Sequence, residues 1–242
     1  MGERLYIAAK APRAGLVKTR LGHAIGDDAA AYLYRAFVTD LAARFATAPF
    51  PVGWYITPPD GWLELGLCPH TWPADQHMLA QGPGDWTERQ RALFREAATR
   101  GEERVVLVAS DSPLLSVEVV EAAFQALEQH DLVFGPVYDG GYYLIGMHGW
   151  HDVLDGVTMS TSTVLEAILD RAHAMELSVA LIESTFDIDE IDDLKHLQQV
   201  SDLPHIAPAT DAALHALGLI VPVTHHVEAT GYTVHGSDHR YV

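Results

Sequence analysis

Basic residues are scarce in this chain: 15 Lys and Arg stand against 33 Asp and Glu, a formal net charge of −18 over 242 residues. Such a surface repels polyanions, which argues against nucleic acid as a partner. A phosphorylated small molecule stays open, because one metal ion with one or two bases overrides a distant field locally. Cys68 is the single cysteine, so no intrachain disulfide can form, and a reducing cytoplasm is the expected location. Residues 1–20 hold no apolar signal core, and no run approaches the roughly 18 apolar residues of a membrane span. Internal repeats and low-complexity tracts are absent, as are the phosphate-binding patterns GxxxxGK(S/T) and GxGxxG. What is present is an apolar fraction of 48%, enough for the full core of one large α/β domain or two small ones.

The stretch Arg104–Leu115 organises that core. Val105-Val106-Leu107-Val108-Ala109 is an unbroken apolar run rich in β-branched residues. A strand reads this way when both of its faces are covered, as in the middle of a parallel sheet. The run stops at Ser110-Asp111-Ser112-Pro113, and a helical pattern opens at Ser116. In open α/β sheets, ligands gather at the carboxyl ends of such strands. Asp111 therefore either holds a cation against a phosphate or only turns the chain and caps the next helix.

Leu5–Ala9 reads as the first strand. The loop behind it carries Lys10, Arg13, Lys18 and Arg20 around Gly15, a local inversion of charge in an acidic chain. A basic, glycine-containing loop in this place is suited to phosphate; a solvated turn is the plainer reading. A helix is expected from about Ala29 to Ala46, with Leu33, Phe37, Leu41 and Phe45 as its buried stripe and Tyr32 and Tyr34 as packing or surface residues. Pro51–Thr57 reads as strand two. The segment onward to about Ala80 is poorly patterned, and His70 and His77 without cysteine partners are a weak metal signal.

Gln81-Gly82-Pro83-Gly84-Asp85 is a glycine-rich turn into a helix that reaches about Arg100, with Asp85 and Glu88 spaced as a capping box. The box does not account for Gln81 and two glycines in the same loop, so a ligand contact there stays open. Leu132–Pro136 is a short buried-type strand, and Asp139-Gly140-Gly141 marks a tight turn. Ser160–Thr163 precedes a helix as an N-cap cluster or as a hydroxyl-lined phosphate contact. Leu177–Ile182 reads as a strand, and Asp187, Asp189, Glu190, Asp192 and Asp193 follow, massed carboxylates that need a cation or solvent between them. Asp187 and Asp189, at alternate positions ahead of a helix expected over Glu190–Val200, are predicted to project to one side. From Leu203 the composition changes, with a short helix near Ala209–Leu217 and then His225, His226, His235 and His239 in a tail read as a surface extension or dimer arm.

Five landmarks, KAPRAGLVKTRL, QGPGDWTERQ, VVLVASDSPLL, GPVYDGGYYLIG and FDIDEIDDL, occur in this order over about residues 4–200. Together they resemble a bacterial glycosyltransferase-A-like family associated with radical-SAM proteins or arsenosugar biosynthesis, within the nucleotide-diphospho-sugar transferase superfamily. The resemblance implies a three-layer GT-A fold with a mostly parallel central sheet and helices on both faces. It further implies a transferase domain over residues 1–202 with an extension over 203–242.

By position, the resemblance places Lys10, Gly15, Lys18, Arg20, Gln81 and Asp85 on the nucleotide side. Asp111 would be the metal ligand, although the match is Ser-Asp-Ser with a single acid. Asp187 and Asp189 would assist at a divalent cation, Mg²⁺ or Mn²⁺. Asp139 would serve as base, with Gly140, Gly141, Tyr142, Ser160 and Thr161 on the acceptor side. Where this family usually has a tryptophan before its Ser–Thr pair, this chain has Met159. The implied reaction is glycosyl transfer from a nucleoside-diphosphate sugar to a small-molecule acceptor. Nucleotidyl transfer from an NTP to a phosphorylated acceptor, and non-catalytic nucleotide binding, are the two alternatives.

Overall fold

The apolar run at Val105–Val108 becomes strand β4 (Arg104–Ala109) in the computed structural model, which describes residues 2–67, 77–159 and 161–219. It sits at the centre of a sheet ordered β3-β2-β1-β4-β6-β5-β7. The other strands are β1 (Glu3–Lys10), β2 (Val52–Thr57), β3 (His77–Ala80), β5 (Leu132–Pro136), β6 (Tyr142–His148) and β7 (Val179–Leu181). β1 pairs in parallel with β2 and β4, β2 with β3, and β5 with β7. Only β6 runs against its neighbours, β4 and β5. That reversal matters for the site: the start of β6 lies where β4 finishes, so the tight turn before Tyr142 is delivered beside Asp111.

Strand alternation divides the core into two layers, one on each face. Leu5, Ile7, Val106 and Val108 point to one face, where they meet Leu33, Phe37 and Leu41 of α2 (Asp27–Phe45) and Val120 and Phe124 of α4 (Val117–Ala126). Tyr6, Val105 and Leu107 point to the other and meet Leu93 and Phe94 of α3 (Trp86–Thr99) and Ile168 of α5 (Val164–Ala174). Both faces of the sheet are therefore covered, and the expected three-layer α/β architecture with a mostly parallel sheet is observed. The predicted stripe on α2 is buried as read.

Three local readings change. The segment read as irregular up to Ala80 ends in the edge strand β3, recruited by β2 despite its weak pattern. Thr163 precedes α5 without a side-chain cap bond, so the Ser/Thr cluster is not its cap; Ser160 itself lies outside the described residues. The helix expected over Glu190–Val200 is a 3-10 turn at Ile191–Asp193 followed by the short α6 (Leu194–Gln198), because Asp193 turns back to accept from the backbone N–H groups of Asp189 and Glu190. The basic loop also carries a helix, α1 (Thr19–Ile25).

Residues 203–219 form α7 (Leu203–Ile206) and α8 (Pro208–Ala216), and α8 seats on α2 with Leu214 in the core. Its first turn is held by Asp40 of α2, which is 3% exposed. The Asp40 carboxylate accepts from the N–H of Ala209 at 2.9 Å, and from the N–H and hydroxyl of Thr210 at 2.8 and 2.6 Å. The histidines of the tail lie outside the described residues. Removing the carboxylate leaves three donors without their acceptor, so Asp40→Ala is expected to destabilise the chain by about 2–3 kcal/mol, with Asp40→Asn losing less. Urea unfolding measures this; an unchanged midpoint for Asp40→Ala would show that α8 is held by other means.

Candidate active site

At the carboxyl ends of β1 and β4 the sheet opens into a cleft of about 870 Å³. β1 supplies Lys10, the turn after β4 supplies Ser110 and Asp111, and the segment after β7 supplies Asp187 and Asp189. The loop before α3 and its first turns contribute Gln81, Asp85, Trp86 and Arg89. The β5–β6 turn contributes Asp139, Gly141 and Tyr142, and Met159, Thr161 and Ser162 close that end.

Lys18 organises the acids. Its backbone is left-handed (φ 46, ψ 45), a conformation that strains a residue with a side chain and persists where the surroundings impose it. The side chain, 2% exposed, places its ammonium against Oδ1 of Asp111 and 2.9 Å from Oδ1 of Asp189. Burial favours a neutral lysine, but Asp111 and Asp189 together outweigh it and hold the ammonium above the ordinary lysine range. Asp189 is the reciprocal case: burial raises it, and Lys18 reverses the sign. Lys18 thus faces carboxylates in this structure while it lines the cleft. Its charge is engaged internally, and the bases left on the loop's cleft side are Lys10 and Arg20, the latter exposed and 3.9 Å from both Asp189 and Glu190. Arg13 is turned away, forked onto Glu64 at 2.6–3.1 Å. Gly15 (φ 74) shapes the loop against Asp27 and does not line the cleft.

Asp187 has a different environment. Ile188 between the two acids is fully buried, so both reach the cleft as the alternate spacing predicts. Yet Asp187 Oδ1 is buried without a hydrogen-bond partner among the described residues. Burial first, and the charge of Asp111 second, push its carboxyl up to about 7. An orphaned acid oxygen near the charge of a second carboxylate is a donor set that suits a divalent cation, which Asp111 and Asp187 would hold. The Asp189 oxygens face Lys18 and, at 3.9 Å, Arg20. Among the described residues no group of three or more His, Cys, Asp or Glu is placed to hold a metal ion.

Tyr34 was missed. Its ring lies on the buried side of α2, and its hydroxyl is 2.7 Å from Ser110 Oγ while accepting from the Lys10 N–H at 2.9 Å. Burial, then the nearby charge of Asp111, raises this phenol to about 12. It ties the end of β1 to the end of β4 at the floor of the cleft. A phenol on a core-facing stripe needs a polar partner, and that requirement was the available signal.

At the opposite end, exposed Asp139 folds back to accept from the Gly141 N–H at 3.0 Å. Gly140 (φ 91) does not line the cleft; it brings the turn onto Ser162, whose carbonyl a Cβ there would strike. The Tyr142 hydroxyl is engaged by Gln90 at 3.0 Å and by Met159 Sδ at 3.6 Å, so the tyrosine offers the cleft an aromatic edge and Met159 forms the wall. Asp85 makes the predicted capping box with Glu88, at 2.9 and 3.0 Å. It lines the cleft all the same.

The raised acid has a pH signature. In the unfolded chain Asp187 ionises near 3.9, whereas in the fold it keeps its proton to about 7. The folded state binds more protons between those values, so stability falls as pH rises through that window and is level above it. Asp187→Asn is expected to gain on the wild type over the same window, by on the order of 2 kcal/mol at pH 8 after allowance for solvent screening. Urea midpoints at pH 5 and pH 8 without divalent cations test this, and parallel pH profiles would refute it.

Residues 45–161 match the model of a family described as an uncharacterized protein conserved in bacteria, DUF2064. No curated protein matches the chain in sequence. Among solved structures the chain is similar to a candidate nucleotide-diphospho-sugar transferase from Desulfovibrio desulfuricans G20, with a TM-score of 0.76 and 29% identity over 90% of this chain and 99% of that one. Its fold is also similar to that of 4-diphosphocytidyl-2C-methyl-D-erythritol synthase from Anaerococcus prevotii DSM 20548, at TM-score 0.51 and 10% identity, covering 81% of this chain and 95% of that one. A CMP:2-keto-3-deoxy-manno-octonic acid synthetase complexed with CTP has TM-score 0.50 and 11% identity, covering 81% and 97%. With its mostly parallel seven-stranded sheet covered on both faces, the chain has the α/β fold of the nucleotide-diphospho-sugar transferase and cytidylyltransferase type.

Proposed function

We propose that this chain is a transferase acting on a nucleotide-activated donor, and that it moves a glycosyl group from a nucleoside-diphosphate sugar to a hydroxyl of a small acceptor. The observation that carries the reading is the division of the cleft. Its lining cations are Lys10, Lys18, Arg20 and Arg89, all on the β1–β3 side or the basic loop; none among the described residues comes from the β5–β6 turn or the 159–164 segment. The first side suits a diphosphate. The second, with Asp139, Tyr142, Thr161 and Ser162, suits an uncharged hydroxylated group better than a phosphorylated one. The likeness to the Desulfovibrio protein points the same way.

In this reading Lys10 and Arg20 face the donor phosphates, and Lys18 orients Asp111 without touching substrate. Asp111 and Asp187 are the residues that would hold a divalent cation, whose charge would offset that of the departing diphosphate. Asp139 stands at the acceptor end. As general base it takes the proton of the acceptor hydroxyl while the oxygen bonds to the anomeric carbon and the bond to the diphosphate breaks. Nucleotidyl transfer is the second reading, favoured by the fold shared with the two cytidylyltransfer-type enzymes. With a phosphorylated acceptor, it would place that acceptor's charge at the end of the cleft that lacks cations among the described residues.

A thermal-shift panel separates the readings. Nucleoside diphosphates and their sugars, near a hundred times their Kd, are expected to raise the melting temperature by roughly 5–10 °C, more with Mn²⁺ than without. Stabilisation by NTPs alone would favour nucleotidyl transfer, and no response to any nucleotide would overturn both. Asp111→Asn is expected to remove the Mn²⁺-dependent part of the shift, read against that variant's own unliganded melting temperature, which falls because buried Lys18 loses one of its two partners. A full Mn²⁺ increment in that variant would take Asp111 out of the cation site.

A further inference from the structure

We infer that Arg89, held in place by Gln81, reads the nucleobase of the donor and selects bases that present two adjacent hydrogen-bond acceptors, cytosine or guanine, over adenine and uracil. The inference rests on the nucleotide-donor reading above. Lys18 and Arg20 are both engaged with carboxylates. Arg89 also lines the cleft, yet it forms no ion pair among the described residues. An arginine carries five N–H donors. One, on Nη1, goes to Gln81 Oε1 at 3.2 Å, and Nε is buried with no acceptor among the described residues. Leaving such donors unmatched is costly.

Gln81 explains how the guanidinium is aimed. Its backbone N–H donates to the Ile56 carbonyl at 2.8 Å, continuing the β2–β3 pairing. Its side-chain amide donates to the carbonyls of Tyr55 at 2.7 Å and Ala9 at 3.5 Å, the last turns of β2 and β1. The remaining oxygen faces Arg89. The amide is thus used inside the protein, and Gln81 is a positioning residue where the sequence suggested a ligand contact. Arg89 is the group it presents.

Position identifies what Arg89 would meet. Gln81 follows β3, three strand spacings of about 4.8 Å from β4 and hence roughly 14 Å along the sheet from the strand that ends at Asp111. With the diphosphate near Asp111 and Lys10, the base of the same nucleotide extends towards β2 and β3. Trp86, one helical turn before Arg89, lines this cleft too and offers an aromatic face for stacking. A guanidinium donates and never accepts, so it pairs best with O2 and N3 of cytosine or O6 and N7 of guanine. Adenine and uracil set an N–H beside each acceptor on the corresponding edges.

Isothermal titration of the full chain with CDP, GDP, UDP and ADP tests the assignment. CDP or GDP is expected to bind roughly tenfold tighter than UDP and ADP. Arg89→Lys, which keeps the charge and loses the planar fork, is expected to bring the four ligands within about threefold of one another by weakening the preferred one. Gln81→Ala should move the ranking the same way, and it carries the test if a melting curve shows Arg89→Lys to be misfolded. A wild type without preference, a preference for UDP or ADP, or a ranking unchanged in both variants overturns the inference while leaving the donor reading intact. Failure of all four ligands to bind overturns both.

Discussion

Three carboxylates converge where the central strand ends, and one buried ammonium makes that convergence tolerable. Asp111, Asp187 and Asp189 come from two distant stretches of chain, and unit charges a few ångströms apart in a partly desolvated space repel by about 4 kcal/mol per pair at an effective dielectric of 20. Lys18 reaches into this group from the basic loop, at the expense of its hydration and of a left-handed backbone. Its attraction to two acids exceeds both penalties, which is why it stays charged at full burial. The third acid receives no such relief, and it is the one that keeps its proton to about pH 7. The group therefore carries more negative charge than Lys18 offsets.

The rest of the architecture delivers residues to this point. Parallel pairing of β1 with β4 sets Lys10 and Ser110 side by side, and the Tyr34 hydroxyl bridges them from below. The reversed β6 returns the Asp139–Gly141 turn to the same rim, and β7, parallel to β5, releases Asp187 and Asp189 there as well. A sheet made only of parallel strands would have carried the residues before Tyr142 to the far edge. The one antiparallel strand is what gives the cleft its second wall.

Charge is distributed across that cleft with a clear polarity. Cations stand over β1–β3 with Asp85 among them, Asp111, Asp187 and Asp189 occupy the middle, and hydroxyl, aromatic and thioether groups form the far end with Asp139. This gradient matches a substrate that is anionic at one end and neutral at the other. Family likeness by itself could not distinguish such a substrate from one charged at both ends.

Much of this was legible before any coordinates. The three-layer architecture followed from the resemblance carried by the five landmarks; the central position of β4 followed from local pattern, since a doubly covered strand announces itself as an unbroken β-branched run. The same holds for the stripe on α2, the Asp85–Glu88 box and the Asp-Gly-Gly turn, each of which depends on residues within a few positions of one another. Asp111, Asp187, Asp189, Lys18 and Asp139 were also recognisable as chemistry-bearing residues. What they do to each other was not. Whether Lys18 faces a phosphate or a carboxylate depends on where residues more than ninety positions away arrive. Sequence separation also hides the difference between Asp187 and Asp189 and the tie that Tyr34 makes across 24 and 76 positions; Gln81 and Arg89 are only eight positions apart, but their contact depends on how the turn into α3 folds. Periodicity reports which face of an element is buried; only the packed sheet decides which polar groups meet once it is.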